Sequence, residues 1–127
     1  MLVALMLASG AMLAWPAIAK MMGGSKLIGT LEATRLMNEG ALVLDIRDNG
    51  EFNGGRIPKS KNIPLGEIDK RVDEITRFKD QPVIVTCSTG TRTNAASRAL
   101  KALGFAKVYQ LEGGLDAWRK AYLPTEK

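Results

Sequence analysis

Pro82-Val83-Ile84-Val85-Thr86-Cys87-Ser88-Thr89-Gly90-Thr91-Arg92-Thr93-Asn94-Ala95-Ala96-Ser97 is the stretch on which the reading of the chain turns. An apolar run with β-branched residues predicts a buried strand. The protein's single cysteine follows, then a Gly- and hydroxyl-rich loop closed by an arginine, then the opening of an alanine-rich helix. A loop running from a strand end into a helix N-terminus turns several backbone N–H groups toward one point, and the helix dipole adds partial positive charge there. A thiol at the first loop position has its thiolate favoured by those donors and by Arg92. Cys87 is therefore a candidate nucleophile, the alternative being a small buried hydrophobe at a strand end.

Composition narrows the chemistry. The 127 residues carry 18 Lys and Arg against 13 Asp and Glu, a net charge of +5. The basic residues are scattered among acids, with no Lys/Arg run and no aromatic ladder, so nucleic acid is not an expected partner. One cysteine forms no internal disulfide, and without histidine there is no Cys/His metal set and no Ser-His or Cys-His pair. No metal or cofactor is expected. Thiol chemistry in this chain must rest on backbone donors and cations.

Working outward, residues 1–19 carry no charged side chain, and Lys20 ends the run. As a helix they would span about 28 Å, close to the hydrocarbon thickness of a bilayer. Two readings compete. Ala17-Ile18-Ala19 has the small-x-small pattern of a cleavage site, which would make the mature domain secreted or periplasmic. The length, Trp15 near the end, and Lys20, Lys26 and Arg35 beyond it favour a single-pass anchor in the plasma (inner) membrane, with the domain facing the cytoplasm and the lipid bilayer as a partner. Residues 20–26, with Gly23-Gly24-Ser25, read as a linker, and 27–127 as the domain.

Within the domain, Thr30 is expected to cap a helix through Asn38 with Gly40 as its stop, and Leu42 to Ile46 is expected to be a central strand. A short helical piece is expected around Glu51 and Phe52, and an extended stretch at Asn62-Ile63-Pro64-Leu65. Ile68, Val72 and Ile75 are spaced for one outer helix over residues 67–79. A helix is expected over 93–103, a third strand over 107–111, a Gly113-Gly114 turn, and a last helix over 115–122 with Trp118 inward. Alternating strand and helix predicts an α/β domain with a parallel sheet, whose ligands sit beyond the carboxyl ends of the strands.

Several stretches together resemble the rhodanese family in its single-domain sulfurtransferase form. They are Leu44-Asp45-Ile46-Arg47 with Glu51-Phe52, Gly55-Arg56-Ile57-Pro58 with Asn62-Ile63-Pro64-Leu65, Leu111-Glu112-Gly113-Gly114 with Ala117-Trp118, and the six-residue loop Cys87 to Arg92. The match runs from about Ile28 to Leu123. One departure is Arg56, where the family commonly has histidine. The resemblance implies a rhodanese-like fold, with a mainly parallel five-stranded sheet flanked by helices, and a cysteine persulfide intermediate.

The implied reaction moves sulfur from a small anionic donor such as thiosulfate to cyanide or a thiol. Cys87 is the expected catalytic residue. Ser88, Thr89, Gly90, Thr91 and Arg92 are expected to bind the donor, with Gly90 permitting the tight turn. The hydroxyls have a second reading, satisfying the loop backbone, and Arg92 has one as a brace against Asp45 or Glu51. Asp45 and Arg47 are expected to support the loop. A cysteine phosphatase of related fold is a rival, but its loop is one residue longer than Ser88 to Thr91. A membrane-tethered module that binds a partner or carries sulfur, with little thiosulfate turnover, is the other.

Overall fold

The computed structural model describes residues 25–127, so the expected anchor at 1–19 and all of the linker before Ser25 lie outside the described residues. Among the described residues no helix is long and apolar enough to cross a membrane. The strands are β1 (Lys26–Ile28), β2 (Leu42–Asp45), β3 (Lys61–Asn62), β4 (Pro82–Thr86) and β5 (Lys107–Leu111). The helices are α1 (Thr30–Asn38), α2 (Asn49–Asn53), α3 (Ile68–Arg71), α4 (Thr93–Ala102) and α5 (Gly114–Lys120). The five strands form one sheet in the order β1-β5-β4-β2-β3, and every pairing is parallel.

β4 is the middle strand, and its composition explains why. Val83, Ile84 and Val85 are all sealed from solvent, as a strand covered by helices on both faces requires. Period-two alternation sorts the side chains into two cores. Val83, Val85, Leu42, Leu44 and Val108 pack with Ile68, Ile75, Ala96 and Leu100 on one face. Ile84, Val43 and Leu111 pack with Ala33, Leu36, Leu115 and Trp118 on the other. Cys87 belongs to the first core, one step beyond Val85 on the same face.

Two local expectations are corrected here. The N-cap of α1 is Gly29, whose extended backbone offers its carbonyl to the Ala33 N–H at 3.0 Å, so Thr30 is the first helical residue. The stop at Gly40 is as expected: its φ is +99°, and the Ala41 N–H donates to the Leu36 carbonyl at 2.9 Å in a Schellman closure. Residues 67–79 do not form one helix. They break into a 3₁₀ turn at Leu65–Glu67, the single turn of α3, and further 3₁₀ turns at Val72–Glu74 and Thr76–Phe78. Leu65, Ile68, Val72, Ile75 and Phe78 all face the first core, and three of the four steps between them are of three residues, which suit the 3.0-residue turn, the one step of four falling at α3. β-branched residues at 68, 72, 75 and 76 also weaken helix propensity there.

Lys26, grouped with the linker by its composition, opens β1 and pairs with Tyr109. Arg56, at the departure from the family pattern, stacks over the Phe52 ring at 4.7 Å and exchanges backbone hydrogen bonds with Glu126. It ties the C-terminal tail to the body of the domain.

Candidate active site

The carboxyl end of β4 delivers Cys87 into a loop that ends at Arg92, the residue immediately preceding α4. Cys87 is buried, and the Gly90 N–H donates to its Sγ at 3.0 Å. Such a donor stabilises negative charge on sulfur. Gly90 has φ +88°, and a Cβ there would lie 3.3 Å from the Gly113 nitrogen. Both the handedness of the turn and the neighbouring chain call for glycine.

The loop is clamped from the side by the start of α5. The Leu115 N–H donates to the Cys87 carbonyl at 2.8 Å and the Asp116 N–H to the Ser88 carbonyl at 3.0 Å. These are helix N-terminal donors without intrahelical partners, used here to hold the Cys87 loop. Gly114 lets the helix come this near: a Cβ on it would sit 2.2 Å from the Cys87 carbonyl oxygen, and its φ is +57°. The Gly113-Gly114 pair, read from the sequence only as a turn, is thus part of the site.

The predicted donor-binding residues gather around this loop, but their side chains have occupations of their own. Ser88 Oγ donates to Glu51 Oε2 at 3.2 Å. Thr89 and Thr91 hydroxyls are 3.3 Å apart, bonded to each other. Arg92 is half-exposed, with Nη2 3.8 Å from Glu51 Oε1. Of the two acids expected to brace Arg92, Glu51 meets it.

Asp45 is paired with Arg47, while Arg92 contacts Glu51. The Asp45 carboxylate accepts from Arg47 Nη2 at 2.8 Å, from Nε, and from the Arg47 backbone N–H at 3.0 Å, with both side chains buried. Arg47 Nη2 also donates to the Gly55 carbonyl at 2.7 Å, and Asn62 Nδ2 bonds the carbonyls of Asp45 and Arg47. This cluster joins β2, β3 and the Gly55 segment.

Sequence reasoning missed a second polar cluster. Thr93 Oγ1 donates to the Gly90 carbonyl at 2.9 Å and lies 2.6 Å from Gln110 Oε1. Gln110 Nε2 in turn donates to Asn94 Oδ1 and to Ser25 Oγ. An amide at a buried position of β5, between Tyr109 and Leu111, was the available signal, since a buried amide demands partners. The Arg92 contact of Glu51 was among the expectations, but its hydrogen bond with Ser88, 37 positions away, was not.

No group of three acids or cysteines among the described residues is placed to hold a metal ion. A concavity of about 480 Å³, lined by Met37, Leu42, Lys59, Glu74 and Phe78, opens at the amino end of β2, away from Cys87.

A parallel sheet whose central strand delivers a cysteine into a loop pinned between two helix starts defines the class: a cysteine-loop α/β domain. The chain belongs to the rhodanese-like domain family, whose model matches residues 30–121. It is 40% identical over 101 residues to the uncharacterized protein YibN of Escherichia coli, covering 78% of this chain and 71% of that one. To the thiosulfate sulfurtransferase GlpE of Ectopseudomonas mendocina it is 36% identical, across 80% of this chain and 90% of the relative. The crystal structure of a rhodanese-related protein from Thermoplasma volcanium superimposes with a TM-score of 0.71 at 28% identity, over 80% of this chain and 97% of that one.

Proposed function

We propose that the protein is a sulfurtransferase that moves sulfane sulfur from a donor such as thiosulfate to cyanide or a thiol through a Cys87 persulfide. The observation that carries this reading is the Gly90 N–H at 3.0 Å from the buried Cys87 Sγ, in a chain with no histidine to serve as a base. In the first half-reaction the thiolate attacks the outer sulfur of thiosulfate, a new S–S bond forms, the old one breaks, and sulfite leaves with its electron pair. In the second, cyanide attacks the outer persulfide sulfur, thiocyanate forms, and the Cys87 thiolate is regenerated. Neither step transfers a proton, so the site needs a thiolate and a cradle for negative charge. Gly90 supplies one donor of that cradle, and Arg92 and Ser88 are the side chains nearest to the donor's oxygens once they release Glu51.

The test is the mass of Cys87 after incubation with thiosulfate, alongside cyanide-dependent turnover. A gain of one sulfur atom is expected, removed by cyanide, and Cys87→Ser is expected to lower turnover by at least about 10³-fold. Undiminished transfer by the serine variant would refute the mechanism. A second reading, a sulfur carrier with little thiosulfate turnover, is favoured by Glu51 occupying both Ser88 and Arg92. It predicts the same persulfide mass with slow thiosulfate kinetics.

Residues 1–19 are proposed as a retained single-pass anchor in the plasma (inner) membrane with the domain in the cytoplasm, supported by the uncharged run, Trp15 and Lys20. Fractionation tests this: the full-length chain is expected with membranes, and a free mature chain beginning at Lys20 would refute it.

A further inference from the structure

Glu51 spans the mouth of the sulfur loop. One carboxylate oxygen accepts from the Ser88 hydroxyl at 3.2 Å and the other faces Arg92 Nη2 at 3.8 Å, so the acid meets the first and last residues after Cys87. It is held there from behind. Asp48 Oδ1 accepts the Glu51 N–H at 2.9 Å and caps α2, and the Gly54 N–H bonds the Glu51 carbonyl at 3.2 Å. A donor that displaces the carboxylate from Arg92 therefore still meets its charge nearby. Of the arginines near the Gly55 segment, Arg47 is paired with Asp45 at 2.8 Å, and Arg119 Nη2 would lie 2.6 Å from a Cβ on Gly55. A dianionic donor at Arg92 is opposed by the Glu51 carboxylate more strongly than a monoanion is, since charge repulsion grows with each unit of charge on the donor.

We propose that Glu51 is a specificity-determining residue that biases the sulfur loop against the dianion thiosulfate and toward sulfane donors of lower negative charge. The inference rests on the sulfurtransferase reading and adds the substrate class to it. A monoanionic thiosulfonate represents that class. The Cys87 thiolate attacks its terminal sulfur, the S–S bond to the enzyme forms as the sulfur–sulfonyl bond breaks, and sulfinate leaves with the electron pair. The charge balance is the same as with thiosulfate, so the two donors differ in charge and not in chemistry.

The experiment compares thiosulfate and methanethiosulfonate as donors, with cyanide as acceptor, in wild type, Glu51→Gln and Glu51→Asp. The amide of the Gln variant still accepts the Ser88 hydrogen bond, so it removes charge alone. In Glu51→Gln the ratio of kcat/KM for thiosulfate to that for thiosulfonate is expected to rise at least about threefold, carried by a lower thiosulfate KM. Glu51→Asp, which keeps the charge, is expected to hold the wild-type ratio. An unchanged or lower ratio in Glu51→Gln, with Cys87 still gaining sulfur, would overturn this inference and leave the sulfurtransferase reading standing. No sulfur on Cys87 from either donor, in any of the three proteins, would overturn both.

Discussion

Two buried polar clusters flank the strand that carries the cysteine, and they are built differently. On the β2 side, Asp45 and Arg47 form a charged pair that closes on itself, on Gly55 and on Asn62. On the β5 side, Thr93, Gln110, Asn94 and Ser25 form a neutral network, and one of its bonds reaches the Gly90 carbonyl. The difference is instructive. Charge serves the scaffold, where the two buried ions are paired with each other and Arg47 also bonds the Gly55 carbonyl. Of these two clusters, the one that bonds the Cys87 loop is neutral, so it sets the Gly90 backbone without bringing a charge of its own.

Breaking the charged cluster should have the largest effect. Arg47→Met leaves the Asp45 carboxylate buried without its cation, and is expected to cost about 3–5 kcal/mol in urea unfolding, part of it recovered in the double variant Asp45→Leu/Arg47→Met. Its cost should appear in unfolding and not in the alkylation rate of Cys87 in folded molecules. A slower thiol in the folded protein would move the pair from scaffold to site.

Breaking the neutral cluster should be milder for stability and sharper for chemistry. Thr93→Val keeps the shape but removes the single hydroxyl proton that the Gly90 carbonyl and Gln110 Oε1 share, at an expected cost of about 1–2 kcal/mol. With the Gly90 peptide less firmly set, alkylation of Cys87 at neutral pH should slow by about 3- to 10-fold. Thr93→Ser should restore it. Equal rates for wild type and the valine variant would leave the network with packing alone.

The smallest effect is expected from a cluster outside both. Exposed Glu74 bonds Arg71 Nε at 2.7 Å and Lys61 Nζ at 2.6 Å. Arg71 first, then Lys61, holds its carboxyl down from the usual 4.5 to about 2. Because the folded value is depressed, its contribution is present above 4.5 and is lost as pH falls from there through about 2. Glu74→Gln should flatten stability slightly across that window and nowhere else. An acid limb identical to wild type would show that solvent screens the cluster completely.

Local signals carried far in this chain. Val83 to Val85 and Leu42 to Leu44 read as central strands because apolar runs of that length have nowhere else to go, and Gly40 and Gly104 mark helix ends through the positive φ that they adopt. The 67–79 segment misled because spacing alone cannot tell a 3₁₀ succession from an α-helix when the core takes every third or fourth side chain. β1, only three residues long, owes its existence to pairing with β5 across the chain.

By itself the sequence determined the chemistry available: one thiol, no imidazole, and a strand, loop and helix around Cys87 that turn N–H groups toward sulfur. These are properties of residue type and of neighbours within a few positions. Tertiary structure alone decided which groups attend that loop. Gly114 abuts the Cys87 carbonyl, Gln110 steadies Gly90 through Thr93, and Glu51 meets Ser88 and Arg92. Each joins segments distant in the chain, and only the packing of the sheet brings them within reach.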